Sequence, residues 1–209
     1  MKQAYAGLLW LAATGAAAAQ HLELPPPPAL PTNFRNGSYL PLDAADWQAA
    51  KLRYNAMPEL QVLDAEHKAD DPLVLPAAKV QAFTIGRDTF DVVRGLRVPQ
   101  PAQQPPAAFA RRLFRGGGFL VAEYVAYRYK PDPPVLYRLL LDRAGGRLVA
   151  VLPTTPREFR LALAAVVRDY QPLASQLELD PNVLPVQLPE LLAAYGHWKQ
   201  TQPANARAK

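Results

Sequence analysis

The chain has 209 residues, a formal net charge of +5 and no cysteine. The absence of cysteine excludes a disulfide framework and a lipid anchor on cysteine, so an apolar core must stabilise the fold. The charge is modest and the arginines are spread along the chain, which argues against a nucleic-acid partner.

Residues 1–19 are predicted to be a secretory signal peptide. Lys2 supplies a positive start, Ala4–Ala13 is an apolar run, and Ala17–Ala19 offers the small residues that signal peptidase needs. The alternative is a membrane anchor, but a spanning helix needs about 20 strongly apolar residues. We therefore expect an exported protein, periplasmic or extracellular, with no transmembrane segment after cleavage. Loss of Lys2 would lower its formal charge by one.

Proline is unusually frequent, with 23 prolines in 209 residues against a usual share of about 5%. Residues 20–36 are predicted to be a proline-rich linker, since Pro25–Pro28 favours an extended polyproline helix. A second such segment, at 99–106, is predicted to be a stiff loop, the alternative being a docking motif for an aromatic groove. A single β-rich domain is expected over 37–199, followed by a disordered tail at 200–209.

The clearest local structure is a β-hairpin. Val80–Ile85 and Thr89–Val93 are rich in β-forming residues and are joined by a three-residue turn that contains glycine. Phe83 and Ile85 should lie on one face, with Phe90 packing across from them. Shorter strands are predicted over 38–40, 49–54, 60–63 and 73–75.

Three further strands are predicted to form a meander over 119–129, 135–141 and 147–152. The first of them is apolar or aromatic on both faces, so we expect it to be central, with both surfaces covered. Gly116–Gly118 ends whatever element precedes this strand. We expect a flexible turn there, because a phosphate-binding loop would need a Lys-Ser/Thr pair and a following helix.

Two helices are expected near the C-terminus. Thr155–Glu158 fits a capping box with proline at the first helical position, and Phe159 and Leu163 follow at helical spacing. This helix should end near Asp169, and a second should begin at Pro189. The buried stripe of the second helix would consist of Leu191, Leu192, Tyr195 and Trp198. The expected fold is α+β and β-rich: a curved or partly closed antiparallel sheet with two short C-terminal helices.

Three motifs run through the expected domain. They are the hairpin Val80–Phe90, the tyrosine-rich meander Tyr124–Tyr137, and the segment LPTTPREFRLAL, which leads to a short helix ending in an aromatic residue. Together they resemble a loose group of small secreted proteins from Bacteroidota bacteria, of uncharacterised function. The resemblance covers residues 37–199. It implies a bacterial origin and export, and it implies no catalytic residue or mechanism.

The sequence offers few candidate residues for catalysis. After the signal peptide the serines are Ser38 and Ser175, and neither lies in a Gly-x-Ser-x-Gly elbow. The acidic loop around His67 lacks the ordered alternation of a calcium loop. No cofactor and no metal are therefore expected.

Glu123 is the acid of most interest, because it lies in the predicted central strand among apolar neighbours. A buried carboxyl group holds its proton more strongly and can act as a general acid. With a second carboxylate it would suit a small polysaccharide-acting hydrolase. We favour an ion pair instead, with an arginine such as Arg138 on the next strand.

The best binding candidate is an aromatic and basic group on the meander, where stacked tyrosines and arginines would hold a sugar or an anionic polymer. It consists of Tyr124, Tyr127, Arg128, Tyr129, Tyr137 and Arg138. The alternative is ordinary cross-strand packing of tyrosines. We predict an exported, non-enzymatic envelope protein with a binding or interaction role. Its partner would be an unknown envelope component, polysaccharide or protein. The alternatives are the hydrolase, and a lipid or small-ligand carrier with a β-barrel cavity.

Overall fold

The computed structural model describes residues 33–54, 58–99, 105–126, 135–142 and 146–202. The predicted signal peptide and most of the predicted linker lie outside the described residues, as do Tyr127, Arg128 and Tyr129. Among the described helices, none combines the length and the apolar character needed to cross a membrane.

The described residues form one open sheet of ten strands. These are β1 (Arg35–Pro41), β2 (Gln48–Arg53), β3 (Glu59–Leu63), β4 (Leu73–Pro76), β5 (Val80–Ile85), β6 (Asp88–Arg94), β7 (Ala107–Gly116), β8 (Phe119–Ala126), β9 (Val135–Asp142) and β10 (Leu148–Leu152). Their order in the sheet is β10-β9-β8-β7-β6-β5-β1-β2-β3-β4. All neighbours are antiparallel, and the pairing of β1 with β5 joins two meanders. The predicted antiparallel, β-rich fold is confirmed.

Local strand predictions succeed best where the alternation is regular. The hairpin of β5 and β6 is confirmed, with Phe83 directly opposite Phe90. The meander of β8, β9 and β10 is confirmed as well. β7 was not predicted, because its arginines interrupt the apolar alternation. Its register with β8 also shifts by one residue between Arg112 and Phe114, which moves the later residues to the other face.

Three α-helices follow the sheet, so the prediction of two is wrong. They are α1 (Pro156–Val166), α2 (Gln171–Leu179) and α3 (Leu188–Thr201). The sequence predicts that the first helix ends near Asp169, before Pro172. In fact Pro172 lies in the first turn of α2, where a missing N–H costs no hydrogen bond. Proline therefore begins a helix at this position as well as at the start of α3.

The three helices cover one face of the sheet at its β10 end. Val121 of β8, Leu140 of β9 and Leu152 of β10 pack beneath buried side chains of the helices. Phe159 and Leu163 provide the contact from α1, as their spacing predicts. The helical side chains of this cluster include Phe159, Leu163, Leu173, Leu177, Leu188, Leu192 and Tyr195.

The opposite face of the same strands is also covered. Leu120 and Ala122 of β8 lie there with Leu139 of β9, packed with Leu96 and Val98 from the segment after β6. β8 is thus buried on both faces, which confirms its predicted central position.

A third apolar cluster lies on the β1–β7 part of the sheet and is rich in aromatic rings. Phe83 and Phe90 stack with their centroids 4.5 Å apart. Tyr54, which follows β2, meets the ring of Phe109 of β7 edge-on at 5.5 Å. Three strands separate β2 from β7 in the sheet order, so this contact joins distant parts of the sheet.

Candidate functional site

The tyrosines of the predicted binding group that the structure describes stack on each other. The rings of Tyr124 and Tyr137 lie 6.4 Å apart on neighbouring strands. Tyr124 is buried, and this burial raises the pKa of its hydroxyl, as does the charge of Tyr137. The hydroxyl of Tyr137 donates a hydrogen bond to the carbonyl of Pro99. The pair therefore belongs largely to the core packing of this face.

Arg138 lies on the other face of β9, because neighbouring residues of a strand alternate. It shares that face with Leu140, beneath the helices, and it stands opposite Glu123 of β8. Burial lowers the pKa of the Arg138 guanidinium, and the charge of Glu123 opposes that shift. The structure therefore divides the predicted group, with Tyr124 and Tyr137 on one face and Arg138 on the other.

Glu123 is buried, with 4% of its side chain exposed, and it forms an ion pair. Arg111 of β7 donates to Glu123 Oε2 from Nε at 3.2 Å and from Nη2 at 2.5 Å. The hydrogen-bonded partner is thus on β7, whereas the partner named from the sequence, Arg138, is on β9. Asp88 lies 3.7 Å from the same guanidinium. The carboxylate is therefore held in a charge network and is not a free acid in a cleft.

A groove of about 640 Å³ lies between the β7–β8 turn and the C-terminal half of α3. We call it the triglycine groove, after the residues Gly116–Gly118 on its rim. The turn side contributes Arg115–Phe119, and α3 contributes Tyr195, Gly196, Lys199 and Gln200. Its volume falls within the usual range of small-ligand sites, about 300–1,000 Å³.

The glycines of this turn are required by its geometry. Gly117 and Gly118 both have a positive φ, at 61° and 85°, as expected for a two-residue hairpin turn. Gly117 also packs directly against α3. A Cβ on Gly196 would lie 2.7 Å from the Gly117 Cα, and a Cβ on Gly117 would overlap the carbonyl of Leu192. The predicted turn is confirmed, and it packs directly against α3.

A row of aromatic rings runs along α3 beside the groove. Phe119, at the start of β8, stacks on Tyr195 with the centroids 5.9 Å apart. Tyr195 lies 5.7 Å from Trp198, which stacks in turn on Tyr170 at 4.7 Å. The row ties the sheet, α3 and the loop before α2 together.

Lys199 is the cation on the α3 side, and Asp169 already compensates its charge. Its Nζ lies 2.5 Å from Asp169 Oδ2, while the Tyr195 hydroxyl donates to the same carboxylate at 2.9 and 3.1 Å. Partial burial acts to raise the pKa of Asp169, but the hydrogen bonds from Lys199 and Tyr195 outweigh it and lower that pKa. The hydrogen bond to Asp169 raises the pKa of Lys199.

Arg115 is the cation on the turn side, and it differs from the other arginines of β7. Arg111 pairs with Glu123, and Arg112 donates to both oxygens of Asp91 at 2.8 and 2.5 Å. The hydrogen bond to Asp91 raises the pKa of Arg112. Arg115 is exposed, lines the groove and has no ion-pair partner within the described part of the chain.

Sequence reasoning identified both sides of this groove without joining them. The triglycine segment was predicted to be a turn, and the stripe containing Tyr195 and Trp198 was predicted to be the buried face of a helix. Arg115 was noted only as one of several arginines.

Comparison of the chain with family models, curated proteins and solved structures finds no significant match to any of them.

Proposed function

We propose that this is an exported, non-enzymatic protein of the cell envelope that binds a ligand in the triglycine groove. The groove carries the proposal, because it joins a rigid turn, an aromatic row and an unpaired arginine at one place on the surface. Export is supported by the pattern of residues 1–19 and by the resemblance to small secreted proteins from Bacteroidota.

The charges of the groove favour an anionic ligand. The described lining residues include two cationic side chains, Arg115 and Lys199, and no carboxylate. Because Asp169 neutralises Lys199, the net positive charge is located mainly at Arg115. A guanidinium recognises planar anions through two parallel hydrogen bonds, which supplies specificity as well as affinity.

Catalysis by Glu123 is less well supported. A polysaccharide-acting hydrolase would need this carboxyl group beside a substrate, with a second carboxyl group about 5–10 Å away. Glu123 instead accepts two hydrogen bonds from Arg111 and stands opposite Arg138. A carboxylate buried in an ion pair, with 4% of its side chain exposed, does not match a general acid placed beside a substrate.

The carrier alternative depends on curvature, which we propose for this sheet. A parallel bridge joins Arg94, at the end of β6, to Arg147, before β10, and Tyr54 reaches Phe109 across three strands. Both contacts favour a curved sheet. On the β8 face beside that bridge, however, Leu96 and Val98 pack against the strand side chains, so the interior is filled where a carrier would need space.

Export and binding can be tested on one preparation. The whole chain would be expressed in a bacterium, and the exported protein would be collected and sequenced from its N-terminus. We expect it to begin at Gln20, and Leu9→Arg should retain it in the cytoplasm. Recovery of an uncleaved chain from the cytoplasm would contradict export.

The exported protein would then be unfolded thermally with sugars, cell-wall fragments, lipids and divalent cations. A ligand at 100 times its Kd adds about 2.7 kcal/mol, which gives a clear shift in Tm. We expect Arg115→Ala to abolish the shift and Tyr137→Phe to leave it. A shift that survives Arg115→Ala but is lost in Tyr127→Ala would move the site to the tyrosine group.

A further inference from the structure

The triglycine groove offers one uncompensated positive charge beside a ring surface, and this combination restricts the ligand. Phe119, at one end of the aromatic row, is partly exposed and lines the groove. The apolar faces of sugar rings and of aromatic rings both stack on such surfaces. Gly118 is exposed and has nothing within 4 Å of the position of a Cβ, so no side chain shields its backbone polar groups.

The number of cationic side chains that are free to bind a ligand distinguishes a carboxylate ligand from a polyphosphate. Proteins that bind polyphosphates or nucleic acids neutralise several charges at once and need clustered arginines and lysines. Here Arg111 and Arg112 are occupied by Glu123 and Asp91, and Asp169 occupies Lys199. Among the described residues that line the groove, Arg115 is the guanidinium without an ion pair, and its planar fork matches a single carboxylate.

We infer that the ligand of the triglycine groove is a sugar that carries a carboxylate, such as a unit of a uronic acid oligosaccharide. The carboxylate pairs with Arg115, and the sugar ring lies along Phe119. The hydroxyl groups meet the turn backbone. This inference rests on the proposed function, since it names the ligand class of the same groove.

The test compares three probes on the exported protein by calorimetry. Trigalacturonate has rings and carboxylates, its fully methylated ester has the rings without the charge, and inorganic tripolyphosphate has charge without rings. We expect trigalacturonate to bind, and we expect methylation to weaken binding at least tenfold. Tripolyphosphate should bind at least tenfold more weakly than trigalacturonate.

Two variants at the groove and one control variant locate the binding site. Arg115→Ala should weaken trigalacturonate binding at least tenfold, whereas Arg87→Ala removes the same charge from the exposed β5–β6 turn and should not change it. Phe119→Leu keeps apolar bulk but removes the ring, so it should weaken binding about fivefold. Circular dichroism would verify that each variant is folded.

The outcomes separate the two proposals. Equal binding of the ester, tighter binding of tripolyphosphate, or full binding by Arg115→Ala would overturn the sugar-acid inference. Arg115-dependent binding of another ligand in the wider panel would leave the proposed function intact while rejecting this ligand class. A folded, exported protein that binds no member of the panel would reject both.

Discussion

Glu123 shows how one residue organises the charges inside the sheet. Among the described residues it is the buried acid, and it lies between Arg111 on β7 and Arg138 on β9. The row of charges runs on the sheet face where the aromatic cluster ends and the helical cluster begins. Removing the carboxylate would leave the partly buried guanidinium groups of Arg111 and Arg138 without their nearest compensating charge, since Asp88 lies farther from Arg111, at 3.7 Å.

Glu123→Gln is therefore expected to destabilise the protein by about 3 kcal/mol, measured by urea unfolding at neutral pH. Asp91→Asn is a matched control, since it weakens the more exposed pair with Arg112 and should cost about 1 kcal/mol. Equal losses for the two variants would show that burial of the Glu123 pair carries no special penalty.

Asp169 gives a prediction with a defined pH dependence. Its pKa is lowered from the ordinary value of 3.8, so folding favours the charged carboxylate over its protonated form. The stability that it adds is present above that ordinary pKa and is lost as the pH falls through the folded pKa.

Asp169→Asn should thus lower the free energy of unfolding at pH 7 by up to about 1 kcal/mol, because this surface pair is partly exposed. The difference from the unaltered protein should shrink as the pH falls below about 4. It would be measured by urea unfolding at several pH values. A difference that stays constant with pH would show that the charge of Asp169 does not supply the stabilisation.

At the scale of elements, the contact of the β7–β8 turn with α3 decides where the groove lies. Two glycines from distant parts of the chain, Gly117 and Gly196, meet backbone to backbone.

Thr155 has a local role at the start of α1. It precedes Pro156 as predicted, but its hydroxyl donates to the Glu158 carboxylate at 2.5 Å instead of capping the backbone.

In the variant Gly196→Ala, helix propensity and packing are expected to change the stability in opposite directions. Alanine favours a helix by about 1 kcal/mol over glycine, yet its Cβ would lie 2.7 Å from the Gly117 Cα. We expect a net loss of about 1–3 kcal/mol by urea unfolding, since overpacking dominates. As a reference for propensity alone, Ala193→Gly at an exposed position of α3 should cost about 1 kcal/mol. Stabilisation by Gly196→Ala would show that the turn yields easily.

At the scale of the whole molecule, one sheet carries all three apolar clusters. β7 contributes Phe109 to the aromatic cluster and Ala108 to the cluster on the opposite face, while Val121 of the adjacent β8 packs under the helices. Loss of either end of the sheet would expose apolar surface on these shared central strands.

The clusters are therefore expected to unfold together. Phe109→Ala and Leu140→Ala should each cost about 2–5 kcal/mol and lower the midpoint of one shared transition. Near- and far-ultraviolet circular dichroism would follow the transition during urea unfolding. Two separated transitions in either variant would show that the two ends of the sheet fold independently.

Several elements could be predicted from residues that are close together in the chain. The hairpin of β5 and β6, the meander of β8 to β10 and the starts of α1 and α3 follow from alternation, helical spacing and turn residues close in the chain. β7 was missed because its arginines interrupt the apolar alternation, and α2 was missed because Pro172 was interpreted as the end of a helix, whereas it lies in the first turn of one.

The candidate site, in contrast, is formed by contacts that no local pattern predicts. The pairing of Arg111 with Glu123 depends on which strands are neighbours, and among the described residues Arg115 is the cation of the groove that has no ion-pair partner. The contact of Gly117 with Gly196 depends on how α3 lies across the sheet. Such contacts join residues far apart in the chain, so no local period encodes them. They follow from burial of the apolar faces of all the elements together.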